Sequence, residues 1–148
     1  MPIRERITSV DRVRQWADAI PLHYEYTAGV AGEKFLRGLM DGKLVGGRCD
    51  KCGTTFLPPK TYCVTCFERI TSFVDVVPVG RVAAIASSID SNREADRFVF
   101  VQFDAVIGGL VHRVRGETQI GGRVKVRFKP KGRRKGSILD IDCFEPLQ

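Results

Sequence analysis

Cys49, Cys52, Cys63 and Cys66 form two Cys-x-x-Cys pairs with ten residues between them. Each pair can make a tight knuckle that grips one edge of a tetrahedron, so the four thiolates together predict one tetrahedral metal ion. Gly53 follows the second ligand, where a residue without Cβ lets the backbone turn sharply under the metal. A redox reading needs one Cys-x-x-Cys inside a βαβ unit, and no such pattern surrounds either pair. Four thiolates leave no open position for water or substrate, which marks a structural site. Zinc is favoured; iron on the same ligands, as in an electron carrier, is the alternative, and the rest of the chain shows no redox apparatus. Cys143 stands alone in Leu139–Phe144, where polar and apolar residues alternate. It reads as a small buried hydrophobe rather than a nucleophile.

A second chemical signal is charge. The chain of 148 residues carries a net charge of +7. Between Val111 and Gly136 stand ten basic residues, opposed only by Glu117, whereas Met1–Arg48 is nearly balanced with eight basic and six acidic residues. Such a local positive field attracts phosphates, in a nucleic acid or in a nucleotide cofactor. A solvated face that keeps the protein soluble is the plainer reading. His23 reads as a surface residue and His112 as a partly exposed strand residue. Asp104, Asp140 and Asp142 read as charges at strand or loop ends. No Ser/His/Asp or Cys/His grouping is visible, which argues against an enzyme. No apolar run approaches the roughly 20 residues of a membrane span. The N-terminus, Met-Pro-Ile-Arg-Glu-Arg, lacks the apolar stretch of a signal peptide. The thiols are therefore expected in a reducing cytoplasm.

The elements that must position these groups follow from periodicity. Ser9 can cap a first helix with Val10, Val13, Trp16, Ala17 and Ile20 on one stripe, ended by Pro21. Thr27 can cap a second, Ala28–Met40, with Phe35, Leu36, Leu39 and Met40 on its apolar face and Asp41-Gly42 as its stop. Both are short, and their stripes are expected to reach a partner. Leu44–Phe67 is the metal ribbon, stiffened by Pro58-Pro59. The pattern then becomes all-β, with strands expected at Thr71–Val77, Arg81–Ile89, Arg97–Ala105, Gly109–Arg115, Arg123–Phe128 and Ser137–Phe144. Five to six short strands suit a small closed barrel, with the OB-fold leading. The expected fold is mainly β with short N-terminal helices: a helical segment over 1–43, a zinc ribbon over 44–69 and an OB-fold domain over 70–148.

The chain resembles the zinc-ribbon/OB-fold acyl-CoA-associated proteins, long catalogued as a domain of unknown function and found beside thiolase-type enzymes. The matching residues run from Tyr26-Thr27-Ala28-Gly29 to Gly38-Leu39, through Asp41-Gly42-Lys43-Leu44 and the four-cysteine, rubredoxin-like ribbon. Phe56-Leu57-Pro58-Pro59-Lys60, Gly80-Arg81-Val82 and Ile120-Gly121-Gly122-Arg123-Val124 continue the match. Val64 stands where proline is common and Lys60 where arginine is usual, and neither removes a metal ligand.

The resemblance implies a non-catalytic, acyl-CoA-binding accessory or scaffold subunit of a thiolase-type complex, of the acetyl-CoA acetyltransferase/hydroxymethylglutaryl-CoA synthase kind. Its partners would be a thiolase-fold enzyme and coenzyme A or acyl-CoA, with zinc as the one structural ion. Coenzyme A carries a 3′-phosphate and a pyrophosphate, which need arginine and lysine donors. The expected donors are Arg113, Arg115, Arg127, Lys129, Lys131, Arg133 and Arg134. Arg113 and Arg115 would share one strand face, Arg127 and Lys129 another, with Val124, Val126 and Phe128 turned to the core. The alternative is a single-stranded nucleic-acid-binding OB-fold protein with a structural zinc ribbon. Such proteins add exposed aromatics for base stacking, and the basic segment holds only Phe128.

Overall fold

The computed structural model describes residue 23 and residues 25–87 and 97–147. The expected first helix, with Trp16, lies outside the described residues. The chain forms α1 (Gly29–Asp41), then β1 (Leu44–Arg48), β2 (Thr55–Leu57), β3 (Ser72–Val76), β4 (Val79–Ser87), β5 (Arg97–Phe103), β6 (Ile107–Gly108), β7 (Leu110–Arg113), β8 (Arg123–Phe128) and β9 (Ile141–Pro146). It is mainly β, as expected.

Helix α1 begins without a side-chain cap: Ala28, not Thr27, holds the cap position. It ends at Gly42, whose φ of 78° is left-handed and suits glycine. The amides of Gly42 and Lys43 turn back to Leu39 O (3.0 Å) and Gly38 O (2.8 Å). Ala31, Phe35, Gly38 and Leu39 are buried, and Met40 is exposed. The expected apolar face was therefore one residue too wide. It is also not free for a partner. Phe35 and Leu39 join the core made by Leu44, Leu57, Val82, Val99, Val101, Val124 and Phe144.

The strands form two sheets. The ribbon sheet has the order β3-β1-β2-β6, with β2 and β6 parallel. The second sheet has the order β7-β5-β4-β8-β9, and all its neighbours are antiparallel. Val114 bridges Phe144 in parallel, and the Arg115 amide donates to Phe144 O at 2.9 Å. These contacts join the two edges, giving an OB-like barrel of five strands. Two expected strands differ. Thr71–Val77 is realised as β3, which pairs along β1 and not in the barrel. The last strand starts at Ile141 rather than Ser137. Ser137 and Asp140 instead make a reciprocal cap around a 3-10 turn, Ile138–Asp140. Side-chain bonds of this kind compete with a strand ladder.

Alternation along the strands sorts the core. In β5, Val99, Val101 and Phe103 are buried while Gln102 is exposed; in β8, Val124 and Val126 are buried. Strand β2 serves two cores at once. Phe56 packs with Cys49, Cys63 and Ile70 in the ribbon, while the next residue, Leu57, packs into the barrel core. Successive strand residues point to opposite faces, so one short strand walls both. In denaturant unfolding, Leu39→Ala should cost about 2–5 kcal/mol, whereas Met40→Ala should stay within about 0.5 kcal/mol. Equal losses at the two positions would contradict this placement of α1.

Candidate functional site

The ribbon brings all four predicted thiols together. The Sγ atoms of Cys49, Cys52, Cys63 and Cys66 lie within 4.8 Å of one another. Cys49–Cys66 and Cys52–Cys63 are each 3.5 Å apart. Zinc–thiolate bonds of about 2.3 Å place tetrahedral sulfurs about 3.8 Å apart, so the four residues fit one ion.

The two knuckles share a backbone plan. The amides of Cys49 and Cys63 donate to Thr54 O and Glu68 O, each at 2.8 Å. Gly53 N–H donates to Cys49 O (2.8 Å), and Phe67 N–H donates to Cys63 O (3.0 Å). Both turning residues are left-handed, Gly53 at φ 74° and Phe67 at φ 59°. Glycine meets this demand without strain. Phe67 meets it against the preference of a bulky residue, and it is 82% exposed. Its role was not legible from the sequence, since nothing there marks Phe67 as the counterpart of Gly53.

The environment of each thiol differs. Hydrogen bonds with the Thr54 hydroxyl (3.2 Å) and amide bring Cys52 down to about 6. Burial opposes ionisation of Cys63, yet the amides of Cys66 and Thr65 outweigh it and hold this thiol below its ordinary value. The Glu68 amide favours the Cys66 thiolate, but burial and the three neighbouring sulfurs push that thiol up to about 12. Four thiolates cannot share so small a volume without a cation, and a coordinated metal ion supplies one.

Cys143 is buried, as expected, and burial first, then Asp142, pushes its thiol up. His23 is exposed. His112 is half-buried and edge-on to Phe144, with Nδ1 lacking a hydrogen-bond partner. Desolvation, followed by Arg113, lowers its pKa, so it adds no charge at neutral pH.

Five of the seven predicted cationic donors converge. Arg115, Arg127, Lys129, Arg133 and Arg134 line one cavity of about 590 Å³, with Phe128, Pro130 and Asp142. Arg113 and Lys131 do not line it. The segment after β8 is pinned to its neighbours. Arg134 Nε donates to Lys129 O at 2.6 Å, and its guanidinium lies 5.6 Å from the Phe128 ring centre. A Cβ on Gly42 would collide with the same guanidinium. Asp140, read from the sequence as a strand- or loop-end charge, is buried. Its carboxylate accepts the amides of Lys135 (2.9 Å), Gly136 (2.7 Å) and Ser137 (3.1 Å). Burial raises its pKa, but these bonds outweigh burial and lower it. The Ser137-x-x-Asp140 spacing is the signal that would have revealed this turn.

The basic face also carries its own acids. Arg127 Nη1 donates to Glu145 Oε1 at 2.6 Å. Arg115 Nη1 and Arg127 Nε lie 3.3 Å and 3.8 Å from Asp142 Oδ2. Sequence reasoning named Asp142 only as a strand- or loop-end charge and did not single out Glu145, because both come from β9, which is paired with β8 only in the fold.

Elemental analysis of protein purified without added metal should find about one equivalent of zinc per chain, as a closed four-thiolate site implies. Affinity should fall with acidification, because protons compete for the thiolates. Cys63→Ser should lose the metal and the ribbon fold. A red iron-type spectrum, or full zinc retention by Cys63→Ser, would contradict the assignment.

Comparison with known proteins agrees with this geometry. Residues 37–72 match the family described as ChsH2, rubredoxin-like zinc ribbon domain, and the four cysteines within that match are placed to bind one metal ion. No curated protein sequence matches the chain. The solved Ltp2–ChsH2(DUF35) aldolase has a similar fold, with a TM-score of 0.58 at 19% identity over 76% of this chain and 91% of that one. A protein of unknown function from the DUF35 family of Sulfolobus solfataricus is 30% identical, with a TM-score of 0.62 over 70% of this chain and 81% of that one. By that identity and coverage, the chain belongs to the DUF35 family.

Proposed function

We infer that the chain is a non-catalytic accessory subunit that holds the coenzyme A part of an acyl-CoA for a thiolase-fold partner enzyme. The observation that carries this reading is the convergence of Arg115, Arg127, Lys129, Arg133 and Arg134 on one cavity. Three of these residues, Lys129, Arg133 and Arg134, lie on the connection between β8 and β9, the fourth and fifth barrel strands. OB-folds use that connection as a ligand-binding loop. The similar Ltp2–ChsH2(DUF35) aldolase supports an assembly with an enzyme. A cytoplasmic location suits a site built from reduced thiols. Single-stranded nucleic acid is a poorer fit, because base stacking needs a free aromatic face beside the cations, and Arg134 lies over Phe128, the one aromatic among the residues lining the basic cavity.

The test is kinetic and uses the assembled complex. Lys129→Glu with Arg133→Glu should raise KM for acyl-CoA by about tenfold or more, since each charged hydrogen bond contributes roughly 1.5–3 kcal/mol. The complex should stay intact on gel filtration. An unchanged KM would contradict the reading.

A further inference from the structure

We propose that the basic cavity takes a phosphomonoester dianion, at the point that Asp142 occupies in the free protein. This rests on the coenzyme A reading and names the anionic group involved: the terminal 3′-monoester rather than the diester-linked pyrophosphate.

Two arginines from different segments converge on a single oxygen. Arg115 follows β7 and Arg127 lies on β8, yet both guanidiniums face Asp142 Oδ2, at 3.3 Å and 3.8 Å. Asp142 is the one carboxylate among the residues that line the cavity. A carboxylate oxygen between two guanidiniums is the arrangement an incoming phosphate oxygen would take. Arg127 also donates through Nη1 to Glu145, which does not line the cavity. The clamp is therefore preformed and filled by an internal anion.

The remaining cations set the charge of the ligand. Lys129 and Arg133 line the same cavity, and no carboxylate of a described residue lies within 4.0 Å of either. Arg134 is tied to Lys129 O and Phe128. A group that takes the arginines from Asp142 with a single charge only exchanges one anion for another. A tethered carboxylate wins that exchange through its high effective concentration. A monoester carries about −1.5 to −2 at neutral pH on a single phosphorus, whereas the pyrophosphate spreads its charge over two phosphates, each singly ionised. It replaces Asp142 and still neutralises Lys129 and Arg133. The cavity thus rewards the second charge, and Asp142 sets the threshold.

The test is calorimetric titration of the zinc-loaded full chain at low salt with coenzyme A, dephospho-coenzyme A and phenyl phosphate. Coenzyme A should bind about tenfold or more tightly than dephospho-coenzyme A, the value of at least one charge-assisted hydrogen bond. Asp142→Asn should tighten coenzyme A binding, and Arg133→Gln should weaken it, with zinc content unchanged in both. Equal binding of coenzyme A and dephospho-coenzyme A would overturn the monoester assignment and leave the coenzyme A reading standing. Binding of phenyl phosphate but not of coenzyme A would do the reverse. Unchanged or weaker coenzyme A binding in Asp142→Asn would overturn the role given to Asp142. Absence of binding by all three at millimolar concentration would overturn both proposals.

Discussion

The convergence of four sulfurs on one tetrahedron is the constraint on which the rest of the structure depends. Within 4.8 Å of one another, these groups ionise together only around a cation. That ion closes two backbone knuckles, the first joining the end of β1 to the start of β2 and the second lying between β2 and β3. Phe56 then faces the thiols, while Leu57 and Leu44 face the barrel. The ribbon's own core is small, with only Phe56 and Ile70 buried beside the thiols. Metal coordination supplies the fixed point, and the barrel supplies the burial.

Helix α1 extends the same logic. Its buried stripe lies against the barrel core, so it serves as a lid on the fold rather than as a loose docking arm. Its C-terminal glycine meets Arg134, which lies on the segment between β8 and β9. Asp140 holds the far side of that segment through three backbone amides. The basic segment is thus clamped between a helix end and a buried carboxylate. This explains how a stretch rich in lysine, arginine and glycine keeps a defined shape: the amides of residues 133–137 have internal acceptors, Arg134 packs back on Phe128, and Lys131, Arg133 and Lys135 are exposed.

Much of this was legible in the sequence where a short-range rule applied. The thiol spacing gave the metal centre, alternation gave β5 and β8 with their buried faces, and Asp41-Gly42 gave the end of α1. The misreadings have one cause, which is that contacts between remote segments decide them. Thr71–Val77 looked like a barrel strand because alternation does not say which strand it will pair with, and β1 captured it. Met40 looked like part of the apolar stripe because helical spacing does not fix the stripe's edge. Arg115 and Arg127 looked like free phosphate donors because Asp142 and Glu145 approach them only through the pairing of β8 with β9. Asp140 looked like a loop charge, although its spacing from Ser137 carried the signal of a capped turn.

If the metal is the fixed point for ribbon and barrel together, its removal must be felt beyond the cysteines. Hydrogen exchange on the full chain, zinc-loaded and then stripped with a chelator, measures this directly. Stripping should expose the ribbon amides of Cys49, Cys63 and Ile70. It should also lower protection at Val82 and Val99 in β4 and β5, whose core loses the wall formed by Leu44 and Leu57. Full protection of β4 and β5 beside an opened ribbon would contradict the account.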